Sequence, residues 1–289
     1  MNNNPLFSIL IANYNNGQYL QETIESVKVQ DYIHWEIIIV DDASTDNSID
    51  IYKKYADDNR IKIYYNSENK GVTYTKWRCL EVASGEICGF LDADDSLLPN
   101  ALSIMVNEHL KDKNISIISS RHYICNTQMQ IIKESEPLKI PKGESYLTYM
   151  HYGPNHFVSF KRDKYRQTQR LNPQNKIGDD QELYLLLEEV GKWHTINNII
   201  YKYRLQENSL SHKKDFECWY WNIIIYHEAC MRRNLNPMEY SYNIYKNICH
   251  YYITKGITEY LNTSKPYKIG LFILKPLSKI KNIINLFKR

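Results

Sequence analysis

The chain has 289 residues, 43% of them hydrophobic, enough for one large core or a core with an appendage. A net charge of +3 is too small to argue for nucleic acid, and no run approaches the ~18 apolar residues that cross a bilayer. The six cysteines include no C-x-x-C spacing, which argues against a zinc knuckle or a redox pair and for reduced thiols. The opening "MNNNPLFSILIANYNN" has neither a basic n-region nor a small-residue cleavage site, so the expectation is a cytoplasmic protein.

In chain order, "FSILIANYN" (7–15) reads as a buried strand ending in polar residues. "GQYLQETIESVKVQ" (17–30) sets Leu20, Ile24 and Val27 on one helical face. "WEIIIVDDAS" (35–44) is a second apolar strand, running into Asp41 and Asp42. A helix over 45–56, a strand over 61–66 and a helix over 72–85 stopped by Gly85 follow. "ICGFLDADD" (87–95) is a fourth strand, ending in Asp92, Asp94 and Asp95. Alternating strands and helices with apolar strands predict a parallel sheet covered on both faces. Beyond it, the sequence predicts a helix over 97–111, a strand over 115–120, an irregular stretch over 121–178, a helix over 179–190 and a strand over 193–204. Aromatic-rich helices follow from about residue 212.

Open parallel sheets bind ligands beyond the carboxyl ends of their strands. There the polar residues gather: Asn13 and Asn15, Asp41 and Asp42, then Asp92 to Asp95. Clustered carboxylates repel one another and are tolerable around a divalent cation, Mg²⁺ or Mn²⁺, which uses one or two of them plus phosphate oxygens. Neither G-x-x-x-x-G-K-[ST] nor G-x-G-x-x-G is present, so a metal is the natural holder of a diphosphate. The competing reading is turn and N-cap chemistry, which "DDASTDNS" and "DDSLLPN" also suit.

These blocks resemble the family-2 glycosyltransferases. "FSILIANYNNGQYLQETIESVKVQDYIHWEIIIVDDASTDNS" is similar to their opening, and "NKGVTYTKWRCLEVASGEICGFLDADD" to the block ending in a metal-binding D-x-D. "IGDDQELYLLLEEVGK" resembles the [ED]-D block of the catalytic base, and "YKYRLQENSLS" the Y-R-x-H-x-x-S-x-S segment over the diphosphate. The resemblance spans about residues 5–211 and implies an α/β fold of GT-A type: a mostly parallel nucleotide-binding sheet flanked by helices, with a helical C-terminal extension. It implies a glycosyltransferase domain over 1–211 and a helical region over 212–289.

By position, the resemblance places Ala12, Asn13, Tyr14, Asp41 and Asp42 beside the nucleoside. Asp92, Ala93 and Asp94 form the D-x-D that meets donor and metal, with Asp95 a further metal ligand. Asp180 is the base, Asp179 being the alternative, and Arg204 and Ser209 lie near the phosphates. Lys76 stands where the family has Arg and keeps a cation near the diphosphate without the bidentate fork. Gln206 stands at the family's His, with His212 as a substitute. Asp179 with Glu182 also fits a capping box.

Inverting transfer needs a carboxylate that takes a proton from an acceptor hydroxyl, standing apart from the metal carboxylates. The implied partners are a nucleotide-sugar donor, UDP-linked by the family's usual preference, and a glycan or lipid-linked acceptor. Trp193, His194 and the aromatic stretch 146–157 are either an acceptor platform or core. The tail 271–289, basic and amphipathic, suits an anionic membrane face, or a contact with the protein body or a second copy. Two rivals are a sugar-1-phosphate nucleotidyltransferase, which would want a Gly-rich N-terminal loop, and a non-catalytic sugar-nucleotide-binding module.

Overall fold

The computed structural model describes residues 4–149, 156–206 and 215–238. The described residues up to Pro237 form one compact unit. It opens with alternating β and α elements: β1 (Phe7–Asn13), α1 (Gly17–Lys28), β2 (Trp35–Asp41), α2 (Ser48–Lys53), β3 (Ile61–Tyr65), α3 (Val72–Val82) and β4 (Ile87–Phe90). There follow β5 (Ser96–Leu97), α4 (Ala101–Lys111), β6 (Ile115–Cys125), β7 (Ile131–Glu134) and α5 (Tyr146–Tyr149). The rest are β8 (Val158–Lys161), α6 (Arg162–Arg166), α7 (Asp179–Val190), β9 (Lys192–Arg204) and α8 (Asp215–Arg232).

The strands form one sheet in the order β3-β2-β1-β4-β8-β6-β9-β5, with β7 on β6. The first four are parallel, as their apolar runs predict. Beyond them the sheet is mixed, because β8 runs antiparallel to both β4 and β6 while β6 and β9 pair in parallel. Strand β8 falls in the stretch expected to be irregular. It is short and ends in Lys161, whose ammonium is buried and donates to the Asp112 carbonyl at 2.8 Å, so no apolar run marks it.

Both faces of β1 are buried. Phe7, Ile9 and Ile11 share one core with Leu20, Ile24 and Val27 of α1 and with Ile37 and Ile39 of β2. Helix α3 covers β1 and β2, its Cys79 Sγ lying 3.6 Å from the Ile11 carbonyl. Burying one such aliphatic side chain is worth roughly 1.5–3 kcal/mol, so this sandwich fixes where the strands end. The first turn of α1 abuts α2 so closely that a Cβ on Gly17 would lie 2.2 Å from Asn47 Oδ1.

Register then aligns the polar ends. Asn13 pairs with Asp41, and Leu10 with Phe90, so the acidic turn starts from the same edge of the sheet. Strand β4 ends at Phe90 rather than continuing to residue 95; the chain turns, with Asp95 N donating to Asp92 O at 3.1 Å, and enters β5. Strand β5 pairs with the far end of β9, Leu97 against Tyr201. Residues 201–206 are thereby delivered to the acidic turn.

Helix α8, assigned from sequence to the C-terminal region, belongs to this compact unit. Tyr226 on it donates to the Tyr146 carbonyl at 3.4 Å, and Arg233 just beyond it pairs with Glu188 of α7 at 2.9 Å. The tail 271–289 and the aromatic-rich stretch from 239 lie outside the described residues. Among the described residues no helix is long and apolar enough to cross a membrane.

Candidate active site

The nucleoside side of the rim is an anchored hydrogen-bond network. Asp41 Oδ2 accepts from Tyr52 OH at 2.6 Å and from Asn13 Nδ2 at 3.0 Å, while Oδ1 accepts from Ser44 N at 2.8 Å. Asp42 Oδ1 accepts from Asn66 Nδ2 at 2.7 Å and Lys70 N at 2.8 Å, and Oδ2 from Gly71 N at 2.9 Å. Both carboxylates are buried, so part of the turn chemistry weighed from sequence is realised here. Ala12 closes β1 beside them, and Tyr14 stands out from the rim with 47% of its surface exposed.

The acidic turn after β4 holds three carboxyls in two environments. Asp95 is turned inward: Oδ2 accepts from Tyr201 OH and Oδ1 from Arg204 N, each at 2.7 Å. Burial first, then Asp92 and Asp94, hold its carboxyl well above the usual range. Both oxygens thus fasten the turn to β9. Burial, and next the charge of Asp92, push Asp94 up to about 6. Its Oδ2 accepts from Gln206 Nε2.

Arg204, expected near the phosphates, is itself buried and engaged. Its Nε donates to the Asp94 carbonyl at 2.7 Å, Nη1 to the Thr127 carbonyl, and Nη2 meets Glu22 at 2.7 Å. Its guanidinium also lies 4.5 Å from the Tyr19 ring centre. Ser209 and His212 lie outside the described residues.

Across the rim, α7 begins at Asp179. Gly178 supplies its N-cap in the left-handed region, φ 95°, and no side chain caps the helix. The capping box weighed from sequence is therefore not formed: Glu182 Oε1 accepts from Asn172 N at 3.2 Å and Oε2 from Asn175 Nδ2 at 3.1 Å. Both carboxylates stand in the first turn of the helix. Lys76 of α3 reaches between them, its Nζ 2.7 Å from Asp179 Oδ2 and 2.8 Å from Asp180 Oδ1. The Asp180 contact is a directed hydrogen bond; the Asp179 contact is close in distance but lacks hydrogen-bond alignment. Burial opposes the charge of Lys76, yet Asp179, Asp180 and Asp92 together hold its pKa well above the ordinary value. Burial raises Asp179 above the ordinary carboxylate value against the pull of Lys76, with Asp180 adding to the rise.

One small pocket brings Asp92, Asp180 and Lys76 together with Phe90, His156 and Tyr184. His156, which sequence placed only in a loose aromatic stretch, stacks on Tyr201 and Tyr203 at ring-centre distances of 5.2 and 5.7 Å. Its neighbours in that stretch, Tyr146 and Phe157, are core, as the competing reading had it. His151 and Tyr152 lie outside the described residues. Trp193 stacks on Tyr146 at 4.8 Å and donates to Ser119 Oγ, and with His194 it lines a separate hollow.

The donor set suits a divalent cation bound jointly with a ligand. Asp92 and Asp94 are adjacent like charges with Asp94 forced upward, and a cation relieves that repulsion. Among the described residues no three His, Cys, Asp or Glu side chains form a complete cage, so the remaining oxygens would come from phosphate and water.

The family described as Glycosyl transferase family 2 matches residues 8–234 of this chain. A hyaluronan synthase of Pasteurella multocida is 30% identical over 215 residues, covering 74% of this chain and 22% of the synthase's own length. Staphylococcus aureus TarS 1–349, solved with UDP-GlcNAc, superposes with a TM-score of 0.68 at 16% identity, over 90% of this chain and 76% of that one. The mannosyltransferase PcManGT of Pyrobaculum calidifontis, solved with GDP-Man and Mn²⁺, gives 0.56 at 17% identity, over 79% of this chain and 64% of that one. These matches set aside the nucleotidyltransferase and the non-catalytic module. A sheet with a parallel first half, acids at its carboxyl edge and a family match across about four fifths of the chain lead to one identity: this protein belongs to glycosyl transferase family 2 and has the GT-A fold.

Proposed function

We propose that the enzyme moves a sugar from a nucleoside diphosphate donor, a UDP-sugar, to a hydroxyl of a glycan or lipid-linked glycan, with inversion, in surface polysaccharide synthesis. The observation that carries this reading is the shared pocket of Asp92 and Asp180, one from the acidic turn and one from the first turn of α7. The UDP-GlcNAc bound to TarS and the polymer named for the hyaluronan synthase support the donor and acceptor classes.

In this reading Asp41 and Asp42 hold the nucleoside loop, and Tyr14 offers an exposed ring to the base. Asp92 and Asp94 hold a divalent cation, Mn²⁺ or Mg²⁺, which when bound offsets negative charge on the diphosphate. Asp180, 38% exposed, faces the acceptor. Its carboxylate takes the hydroxyl proton as the acceptor oxygen bonds to the anomeric carbon. The bond from that carbon to the β-phosphate oxygen breaks, and its electron pair leaves with the nucleoside diphosphate. The pocket residues Phe90 and Tyr184 exclude water from the reacting face. The basic amphipathic pattern of 271–289 supports peripheral contact with an anionic membrane, which suits a lipid-linked acceptor.

The test is nucleoside diphosphate release from a panel of nucleotide sugars with Mn²⁺. Wild type releases UDP from at least one donor. Asp180→Asn loses roughly 10²–10⁴-fold in turnover, as expected for a general base. Release from no member of the panel, or unchanged turnover in Asp180→Asn, contradicts the proposal.

A further inference from the structure

We infer that Lys76 is a positioning residue for the catalytic base and not a ligand of the diphosphate. The inference rests on the proposed role of Asp180. Position 76 aligns with a cationic residue that the sequence alone would send to the phosphates. Its ammonium is instead enclosed. Only 8% of the side chain is exposed, and Nζ lies 2.7 Å from Asp179 and 2.8 Å from Asp180. The ring of Phe90 stands 5.2 Å away on another side. To reach a diphosphate the ammonium would have to leave two carboxylates in a site of low exposure, a costly separation of buried charge.

The two carboxylates are not equivalent. The Asp179 side chain is 7% exposed and that of Asp180 38%. Asp179 is thus the buried anchor that fixes the ammonium. The ammonium in turn donates to one oxygen of Asp180 and leaves the outer part of that carboxylate in the pocket. A single hydrogen bond to Oδ1 sets the rotamer of the base. The counter-charge sits beside a carboxylate that shares its pocket with Asp92. Asp179 therefore acts through Lys76, and Lys76 through Asp180.

Kinetics of the full chain with a turned-over UDP-sugar and Mn²⁺ test this. Lys76→Met lowers kcat by about 10- to 100-fold while the donor KM stays within about 3-fold, the split expected of a residue acting on the chemical step. Asp179→Asn moves the same parameter in the same direction. Lys76→Arg, which keeps the cation, retains kcat within about 10-fold of wild type. The decisive comparison is a double-mutant cycle. In the Asp180→Asn background, Lys76→Met changes the residual kcat by less than about 2-fold, because its only route of action is gone. Melting temperatures confirm that each variant is folded, and Asp180→Asn removes the charge repulsion that Lys76→Met would otherwise leave. An additive loss in the cycle, or a donor KM raised 10-fold or more with kcat intact, overturns the inference and returns Lys76 to the phosphates. A wild type that turns over no donor removes the proposed function and this inference together.

Discussion

The side-chain amide of Gln206 donates to the Asp94 carboxylate, joining the segment just after β9 to the second acid of the D-x-D. A glutamine at this position can also offer its carbonyl oxygen to a hard cation, though more weakly than imidazole serves Mn²⁺. Gln206→Ala should raise the Mn²⁺ concentration for half-maximal activity about 10-fold, the usual scale for losing a group that orients a metal ligand. Gln206→His should lower it. A metal titration of UDP release measures both, and an unchanged titration in Gln206→Ala counts against a role for this residue.

Asp94 titrates near the working range because burial, and then Asp92, push it up to about 6. Cation binding requires the ionised carboxylate, so protons compete with metal as pH falls through about 6. The Mn²⁺ requirement should be flat above pH 7 and should rise several-fold by pH 5.5. A requirement that does not change between pH 5.5 and 8 contradicts the assignment of Asp94.

Among the described residues, Tyr201 supplies the one side-chain donor to buried Asp95, at 2.7 Å. Tyr201→Phe removes it and leaves a buried carboxylate under-satisfied, a cost of about 1–3 kcal/mol. For a chain of this size that corresponds to a drop in Tm of roughly 3–10 °C. The sign with pH follows from the raised pKa of Asp95: the folded state binds the proton more tightly than the unfolded state, so acid favours folding. The loss in Tyr201→Phe should therefore be larger at pH 8 than at pH 5.5. Melting curves at the two pH values read this directly, and the opposite order would contradict it.

Glu182 is fully buried, and burial pushes its carboxyl up to about 7 against the bonds from Asn172 and Asn175. Between the ordinary carboxylate value and about 7 the folded state holds the extra proton. Its contribution is complete at low pH and is lost as pH rises through about 7. Glu182→Gln cannot titrate. Its stability should fall less steeply than that of wild type between pH 5 and 7, by a difference of about 2 kcal/mol. Parallel curves would show that Glu182 does not carry this proton.

Much of this was legible in the sequence because it is local. A run such as WEIIIVDD states both the buried strand and the acids that end it, so β1, β2, β4 and their polar tips follow from pattern alone. What escaped is non-local or unpatterned. The bond between Lys76 and Asp180 joins α3 to α7 across 104 positions, and no spacing rule reaches that far. The bonds from Asp95 to Tyr201 and Arg204 likewise depend on β5 meeting β9. Strand β8 hides behind a buried lysine. The capping box failed because Gly178, in the left-handed region, takes the N-cap and frees Glu182 to hold the preceding loop.

Calorimetric titration of a UDP-sugar into wild type and Asp180→Asn, with Mn²⁺ and then with chelator, probes the acidic rim most directly. The account predicts binding that needs the metal, weakened at least 10-fold by chelator, and equal in the two proteins, since Asp180 serves the proton and not the donor. Binding of equal strength with and without metal would contradict it.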